Sequence, residues 1–346
     1  MYSAEMNFRR SLATCSVALG IVAPAVALAS QAHLEPTTQA FIDKLTAAGG
    51  PPIYTLTPTA ARKVLDGAQS GPIAKLPADI ENRTIPGGPT GSVSVRIVRP
   101  KGNTEALPAI VYLHGGGWIL GDAKTHDRLV RQIANGTNAA VVFVNYSPSP
   151  EVKFPVPIEQ AYAVAKYITS HGSDINVDPT RMAIAGDSVG GDMTAALTLM
   201  AKTRGDVKFR YQVLFYPVTN AQFSNGSYQK FANGPWLTKP AMKWFWNAYA
   251  PTAAQRTNVL ASPALASRAQ LTGLPPALVI TDENDVLRDE GEAYARALTN
   301  AGVKVTAVRE MGTMHDFVML NALAGTPAAK SAVALANTKL RAALAK

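Results

Sequence analysis

The strongest chemical signal in the sequence is a serine placed between two glycines. The pattern Gly-x-Ser-x-Gly is matched by Gly186, Asp187, Ser188, Val189 and Gly190. A short apolar run, 182–185, precedes the motif, and an alanine-rich helical stretch, 190–203, follows it. In this context the glycines let a strand turn sharply into a helix, so that the serine hydroxyl projects at the carboxyl edge of a sheet. We therefore predict that Ser188 is a nucleophile for acyl transfer.

A second glycine-rich motif lies upstream and consists of His114, Gly115, Gly116, Gly117 and Trp118. Acyl transfer places negative charge on a carbonyl oxygen, and N–H groups already fixed beside that oxygen stabilise it by about 3 kcal/mol each. We predict that the backbone N–H groups of Gly115, Gly116 and Val189 form such an oxyanion hole, with His114 and Trp118 as structural supports. The alternative is a glycine turn that only reverses the chain.

A serine hydroxyl needs a base to take its proton, and in this motif context the base follows the serine in the chain. The sequence has five histidines, at positions 33, 114, 126, 171 and 315. His315 alone lies beyond Ser188, on a predicted loop after the apolar run 303–308. We predict that His315 is the base.

The base in turn needs a carboxylate that orients its ring. Several acidic residues follow the predicted strand 277–281. We select Asp285, because Asp282 lies too close to the end of the strand and Asp289 opens the next helix, where an acidic residue acts as a cap. Asp282 is the alternative.

Strand and helix patterns alternate along the chain and must position these residues. Apolar runs typical of strands lie at 93–97, 109–113, 139–146, 182–185, 212–216, 277–281 and 303–308. Helical patterns lie between most of them, at 127–135, 157–170, 190–203 and 288–301. This alternation predicts an α/β fold with a mostly parallel central sheet that helices cover on both faces.

Two segments depart from that alternation. Residues 35–71 have the apolar spacing of two short helices, interrupted by glycines and prolines at 49–52. Residues 221–250 are rich in aromatic side chains and read as an insertion over the sheet. Most of these aromatic rings are expected to pack against one another, and Trp236 and Phe231 are our candidates for contact with a ligand.

The composition excludes several classes of protein. Hydrophobic residues make up 47% of the 346 residues and charged residues 16%, which excludes intrinsic disorder and a coiled coil. The net charge of +9 is scattered without a basic run, so nucleic-acid binding is not expected. The single cysteine, Cys15, has no zinc-binding spacing around it, and we predict no metal and no cofactor.

The first 29 residues have the features of an export signal peptide. Arg9 and Arg10 precede an apolar stretch, 12–28, and a small-x-small cleavage pattern ends at Ala29. We expect residues 30–346 to form the mature catalytic domain of an exported protein, periplasmic or secreted, with no stable membrane insertion after cleavage. A retained membrane anchor and lipid attachment at Cys15 are alternatives, and both the Sec and the twin-arginine export routes stay open.

Four features of the sequence can be compared with known families: His-Gly-Gly-Gly-Trp at 114–118, Gly-Asp-Ser-Val-Gly-Gly at 186–191, Asp-Val-Leu-Arg-Asp-Glu at 285–290, and His315. Together they resemble the hormone-sensitive-lipase-like esterases of the α/β-hydrolase superfamily, in their bacterial GDSxG branch. The agreement extends over about 107–317. The resemblance implies an α/β-hydrolase fold, carboxylester hydrolysis without a metal or cofactor, and a helical cap from about 34–85 and 221–260. Two departures are Val189, where alanine is usual, and Asp316, where glycine usually follows the histidine.

The expected function is therefore that of an exported serine carboxylesterase, which hydrolyses short- to medium-chain esters through an acyl-enzyme on Ser188. Its expected partner is a small-molecule ester, and its oligomeric state is left open. One alternative is an amidase or peptidase with the same three catalytic residues. Another is a protein that binds a small ligand without hydrolysing it.

Overall fold

One eight-stranded sheet organises residues 32–346, the part of the chain that the computed structural model describes. The predicted signal peptide at 1–29 lies outside these described residues. Among residues 32–346, no helix combines the length and the apolar character needed to cross a membrane.

The sheet confirms the predicted α/β class. Its strands are β1 (Ala78–Pro86), β2 (Ser92–Pro100), β3 (Leu107–Leu113), β4 (Ala140–Asn145), β5 (Val177–Asp187), β6 (Gln212–Phe215), β7 (Ala277–Asn284) and β8 (Val305–Met314). They lie side by side in the order β1-β2-β4-β3-β5-β6-β7-β8. The strands from β4 to β8 in that order pair in parallel, whereas β2 pairs antiparallel with both β1 and β4. Sequence analysis had not predicted β1.

The helices agree with the predicted alternation, with ends displaced by one or two residues. They are α1 (Pro36–Ala48), α2 (Pro58–Ala68), α3 (Asp127–Thr137), α4 (Val156–His171), α5 (Val189–Arg204), α6 (Gly226–Lys230), α7 (Lys239–Tyr249), α8 (Ala253–Arg256), α9 (Arg268–Leu271), α10 (Arg288–Asn300) and α11 (Pro327–Ala343). The two short helices expected within 35–71 are α1 and α2. The aromatic-rich segment between β6 and β7 contains α6 to α9.

The middle of the sheet is apolar on both faces, and for this reason its strands appear in the sequence as continuous hydrophobic runs. Every residue of β3 is buried, and so are the first five residues of β4. On α3 the side chains of Leu129, Val130 and Ile133 are buried at helical spacing. The sheet and its helices therefore form a rigid base from which the strand ends project.

The carboxyl ends of four strands bring the predicted site residues to one edge of the sheet. The glycine-rich motif follows β3, Ser188 follows β5, Asp285 follows β7 and His315 follows β8. Strands β3 and β5 are direct neighbours, and β7 and β8 are adjacent on the same side of β5 as β6. In open parallel sheets, ligands bind at this carboxyl edge.

The turn from β5 into α5 requires glycine because two backbone segments touch there. A Cβ atom on Gly190 would overlap the carbonyl oxygen of Leu113 and lie 2.6 Å from its carbonyl carbon. A Cβ atom on Gly186 would overlap the backbone of Gly190. Since neither neighbour is a flexible side chain, a larger residue can enter only by moving the backbone.

This packing predicts that Gly190→Ala lowers the free energy of unfolding by about 3 kcal/mol, because overpacking against fixed backbone is costly. Urea denaturation followed by circular dichroism measures the change. The matched control is Gly67→Ala, because Gly67 lies in α2 with no atom within 4 Å of its added Cβ. That control should be neutral or slightly stabilising, and equal losses in the two variants would contradict the argument.

Candidate active site

Ser188 occupies a sharp turn between β5 and α5. Its φ angle is +55°, a conformation that residues other than glycine rarely adopt. It is also the N-cap residue of α5. Its backbone N–H donates to the carbonyl of Phe215 at 2.9 Å, and its own carbonyl accepts from Val218 at 3.1 Å. These bonds to β6 and the segment that follows it hold the strained turn in place.

A chain of hydrogen bonds joins the three residues predicted for catalysis. Nε2 of His315 lies 2.9 Å from Oγ of Ser188, and Nδ1 of His315 lies 2.7 Å from Oδ2 of Asp285. All three residues are buried, with Ser188 at 4%, His315 at 2% and Asp285 at 1% exposure. The structure thus brings together the serine, base and carboxylate that were selected from the sequence.

Asp282 and Asp289, the other two acidic residues considered, have different neighbours. Asp289 lies in the first turn of α10 and accepts from the backbone N–H of Ser227 at 2.7 Å. Asp282 is fully buried, and its pKa is raised well above its usual range, first by burial and then by the charge of Asp285. Asp285 is the acid that hydrogen-bonds to His315.

The imidazole of His315 is surrounded by carboxyl groups. Burial lowers its pKa, but the carboxylates of Asp285, Asp316 and Asp282 outweigh burial and raise the pKa above the ordinary value of 6.5. A raised pKa means that the ring accepts a proton more readily, because the neighbouring carboxylates stabilise the imidazolium. The hydrogen bond to Asp285 also fixes the ring so that Nε2 faces the serine.

The loop after β3 passes close to Ser188. A Cβ atom on Gly115 would lie 3.1 Å from the Cβ of Ser188 and would overlap the Asp187 carboxylate. Among residues 32–346, the N–H groups of Gly115 and Gly116 have no hydrogen-bond acceptor, and Val189 is the first residue of α5, whose N–H has no acceptor within the helix. The three predicted donors are therefore unpaired beside the nucleophile.

His114 and Trp118 are packed within the structure. The His114 ring stacks on Tyr146 at 4.2 Å between ring centroids, and its pKa is lowered to about 4, first by burial and then by His126. The Trp118 ring stacks on Tyr249 of α7 at 4.0 Å. Both side chains thus connect the glycine-rich loop to its surroundings.

A buried ion pair beneath the nucleophile was missed by sequence reasoning. Oδ2 of Asp187 lies 3.3 Å from Nε2 of His126, and Oδ1 accepts from the Tyr112 hydroxyl at 2.7 Å. Burial raises the pKa of Asp187, but His126 and Tyr112 outweigh it and lower the pKa overall. The pKa of His126 is lowered by burial but raised overall by Asp187. Asp187 stood in the serine motif, but nothing in the sequence linked it to His126.

A buried arginine also holds the loop that carries His315. Nη2 of Arg128, on α3, donates to the carbonyls of Val318 and Met319 at 2.7 Å each. Nε2 of Gln69, just after α2, donates to the same Met319 carbonyl at 2.9 Å. These bonds attach the His315 loop to α3 and to the N-terminal helices.

A cavity of about 230 Å³ opens onto Ser188 and His315. Most of its wall is apolar and comes from the segments 35–71 and 221–250. The apolar wall residues are Pro52, Ile53, Tyr54, Val64, Leu65, Leu120, Trp236, Leu237, Ala241, Met242 and Phe245. The remaining wall residues are Gly116, Gly117, Thr238 and Asp316. Trp236 therefore reaches the cavity as expected, whereas Phe231 packs against Arg288, whose guanidinium lies 5.4 Å from its ring centroid.

Asp282, Asp285 and His315 also have potential ligand atoms within 4.8 Å of one another. Both ring nitrogens of His315 are already hydrogen-bonded, one to Asp285 and one to Ser188. We therefore assign no metal ligands to this cluster.

Comparison with known proteins agrees with this arrangement. A family model described as the alpha/beta hydrolase fold matches residues 110–319. An α/β hydrolase of Acanthamoeba polyphaga mimivirus is 42% identical over 298 residues, which cover 86% of this chain and 85% of the relative. Carboxylesterase NlhH of Mycobacterium tuberculosis is 36% identical over 266 residues, which cover 77% and 83%. The solved thermostable esterase from Pseudomonas putida ECU1011 is 46% identical, with a TM-score of 0.87 and coverage of 91% and 98%.

The chain belongs to the α/β-hydrolase family, since the family model and these relatives span most of its catalytic fold. Its relatives in that family include esterases, and a serine lies at the carboxyl edge of its sheet. The protein is a serine carboxylic-ester hydrolase.

The ion pair beneath the nucleophile predicts a large stability effect. Asp187→Asn should lower the free energy of unfolding by about 3 kcal/mol, because it leaves a buried histidine without its charged partner. Urea denaturation at neutral pH measures the loss. Asp66→Asn, which removes an exposed carboxylate, is the control and should change stability by less than about 0.5 kcal/mol. A loss below about 1 kcal/mol in Asp187→Asn would contradict the ion-pair interpretation.

Proposed function

We propose that this protein hydrolyses short- to medium-chain carboxylic esters with Ser188 as nucleophile, His315 as general base and acid, and Asp285 as the carboxylate that orients the base. The observation that carries the proposal is the unbroken chain of hydrogen bonds from Ser188 through His315 to Asp285. It lies at the floor of an apolar cavity.

Acylation begins when Oγ of Ser188 attacks the ester carbonyl carbon while Nε2 of His315 accepts the hydroxyl proton. The carbonyl oxygen becomes an oxyanion, which the N–H groups of Gly115, Gly116 and Val189 stabilise. As the intermediate collapses, the imidazolium returns its proton to the departing alkoxide. An alcohol leaves, and the acyl group stays on Ser188.

Deacylation repeats the same steps with water as the nucleophile. Nε2 of His315 takes a proton from water, the hydroxide attacks the acyl-enzyme, and the carboxylic acid leaves as the proton returns to Ser188. Throughout, Asp285 stabilises the transient positive charge on the ring. Because the ring and its carboxylate are almost fully buried, this electrostatic stabilisation is only weakly screened by solvent.

The size of the cavity supports the proposed acyl range. Its volume of about 230 Å³ compares with the roughly 150 Å³ of an apolar cavity that holds benzene. A short or medium acyl chain fits such a space, and the apolar wall favours its burial. The Gly-Asp-Ser-Val-Gly sequence supports placement in the bacterial GDSxG branch, and the apolar stretch after Arg10 supports export.

The roles of the two neighbouring acids can be separated by matched substitutions. Ser188→Ala and Asp285→Asn should each lower kcat by about 10⁴-fold or more, since either change disables the proton transfer. Asp282→Asn should lower it by less than about tenfold. Stopped assays with p-nitrophenyl butyrate measure these values, and full activity in Ser188→Ala or the reverse order for the two acids would contradict the assignment.

The chain-length proposal predicts how activity varies along a series of p-nitrophenyl esters from acetate to palmitate. Serine-dependent kcat/KM should peak between two and eight acyl carbons. It should fall by at least about tenfold at palmitate, because the longer acyl chain exceeds the space in the cavity. A long-chain peak would contradict the proposal. The same assays with a matched anilide test the amidase alternative, which would be favoured by comparable turnover of amide and ester.

A further inference from the structure

Asp316 is the charged residue of the cavity wall whose presence the reaction steps above do not explain. It directly follows His315, is 8% exposed, and has a φ angle of +67°. Glycine adopts that conformation without strain, whereas aspartate is one of the few other residues that tolerate it. A carboxylate thus occupies a backbone position better suited to glycine, in a cavity that is otherwise mainly apolar.

The two carboxylate oxygens of Asp316 have different neighbours. Oδ2 accepts a hydrogen bond from Nε1 of Trp236 at 2.8 Å, which ties the His315 loop to the aromatic-rich segment. Oδ1 lies 3.5 Å from Nε2 of His315 and has no hydrogen-bond partner within residues 32–346. The free oxygen therefore faces the ring nitrogen that exchanges its proton with Ser188.

The other groups around the His315 ring leave this side of the imidazole to Asp316. Oδ2 of Asp285, directly after β7, lies 2.7 Å from Nδ1, and the pKa of the nearby Asp282 is raised well above its usual range by burial and by Asp285. The ring of Tyr216, after β6, meets the imidazole edge-on at 4.9 Å, and burial raises the pKa of its hydroxyl. Ser188 contributes an uncharged hydroxyl at Nε2.

The surroundings of Asp316 have opposing effects on the pKa of its carboxyl. Burial is the largest effect and raises the pKa of its carboxyl overall, whereas His315 and the N–H of Trp236 act in the opposite direction and favour the ionised form. The indole of Trp236 is supported by Phe41 of α1, whose ring centroid is 5.7 Å away. The donor that favours the charged carboxylate is thus held in place by both segments that line the cavity.

Resting on the proposed function, we propose that Asp316 is a positioning residue: held by Trp236, it acts as a second carboxylate beside His315 and sets the basicity of the catalytic imidazole. Asp285 acts at Nδ1, and Asp316 acts at Nε2. The charge of Asp316 stabilises the imidazolium that forms each time Ser188 or water gives up its proton.

The sign of the effect on activity follows from the form of His315 that works. Turnover requires the neutral ring, so kcat/KM falls as pH is lowered through the His315 pKa. A negative charge beside the ring favours the protonated form and moves this acid limb to higher pH. Removing the charge should move it to lower pH, so the variant should retain a larger fraction of its maximal activity under acidic conditions.

The test compares pH profiles of kcat/KM for p-nitrophenyl butyrate in the wild type and in Asp316→Asn. The wild-type acid limb should lie above the ordinary imidazole value of 6.5, and Asp316→Asn should shift it down by about one unit, the lower end of the range for a charge at this separation. Asp316→Gly, which also removes the backbone strain, should give the same shift. Asp316→Gly therefore provides the same test if Asp316→Asn folds poorly.

Trp236→Phe provides an independent variant because it removes the N–H donor and keeps an aromatic ring. It should shift the acid limb in the same direction by a smaller amount, since the charged form of Asp316 loses its hydrogen bond. Asp66→Asn is the matched charge control, because Asp66 is exposed and is not part of the cavity wall. Its profile should coincide with that of the wild type.

The outcomes separate this inference from the proposed function. Wild-type turnover with acid limbs that agree within about 0.3 unit in Asp316→Asn and Asp316→Gly would overturn the role of Asp316 alone. An upward shift would overturn it as well. Absence of serine-dependent turnover in the wild type at every pH would instead overturn the proposed function on which the inference rests.

Discussion

The site depends on the close approach of two backbone segments, the loop after β3 and the turn from β5 into α5. Glycine at 190 lets α5 begin against the carbonyl of Leu113, and glycine at 115 leaves room for the Asp187 carboxylate. This contact brings unpaired N–H groups of both segments close to Ser188. The position of Ser188 and that of the unpaired N–H groups therefore depend on a single packing constraint, and the parallel sheet supplies the rigidity that maintains it.

Buried charge is distributed around the nucleophile in two separate groups. Beneath Ser188, Asp187 and His126 neutralise each other and are shielded from the cavity. The second group lies around His315, whose pKa is raised by Asp285, Asp316 and Asp282. The first group holds the turn, since a paired buried charge resists displacement. The second favours the protonated form of the His315 ring, because the neighbouring acids raise its pKa.

The segments 35–71 and 221–250 line the cavity and also form hydrogen bonds with the loop that carries His315. Gln69, just after α2, bonds to the His315 loop, and Trp236 bonds to the residue that follows the histidine. The walls of the cavity and the position of the base are thus coupled through hydrogen bonds. The aromatic-rich segment therefore contributes both to the cavity wall and to the hydrogen bonds around the His315 loop.

The sequence by itself determined the α/β class and singled out Ser188 and His315, because strand and helix periodicity and the serine motif are local signals and one histidine follows the serine. Local patterns favoured Asp285 and left Asp282 as an alternative, since the two acids are three residues apart, one within β7 and one directly after it. Such patterns could not reveal the pairing of His126 with Asp187, or of Trp236 with Asp316, across 61 and 80 residues. Contacts between distant residues depend on how the elements pack, and only the tertiary structure decides that.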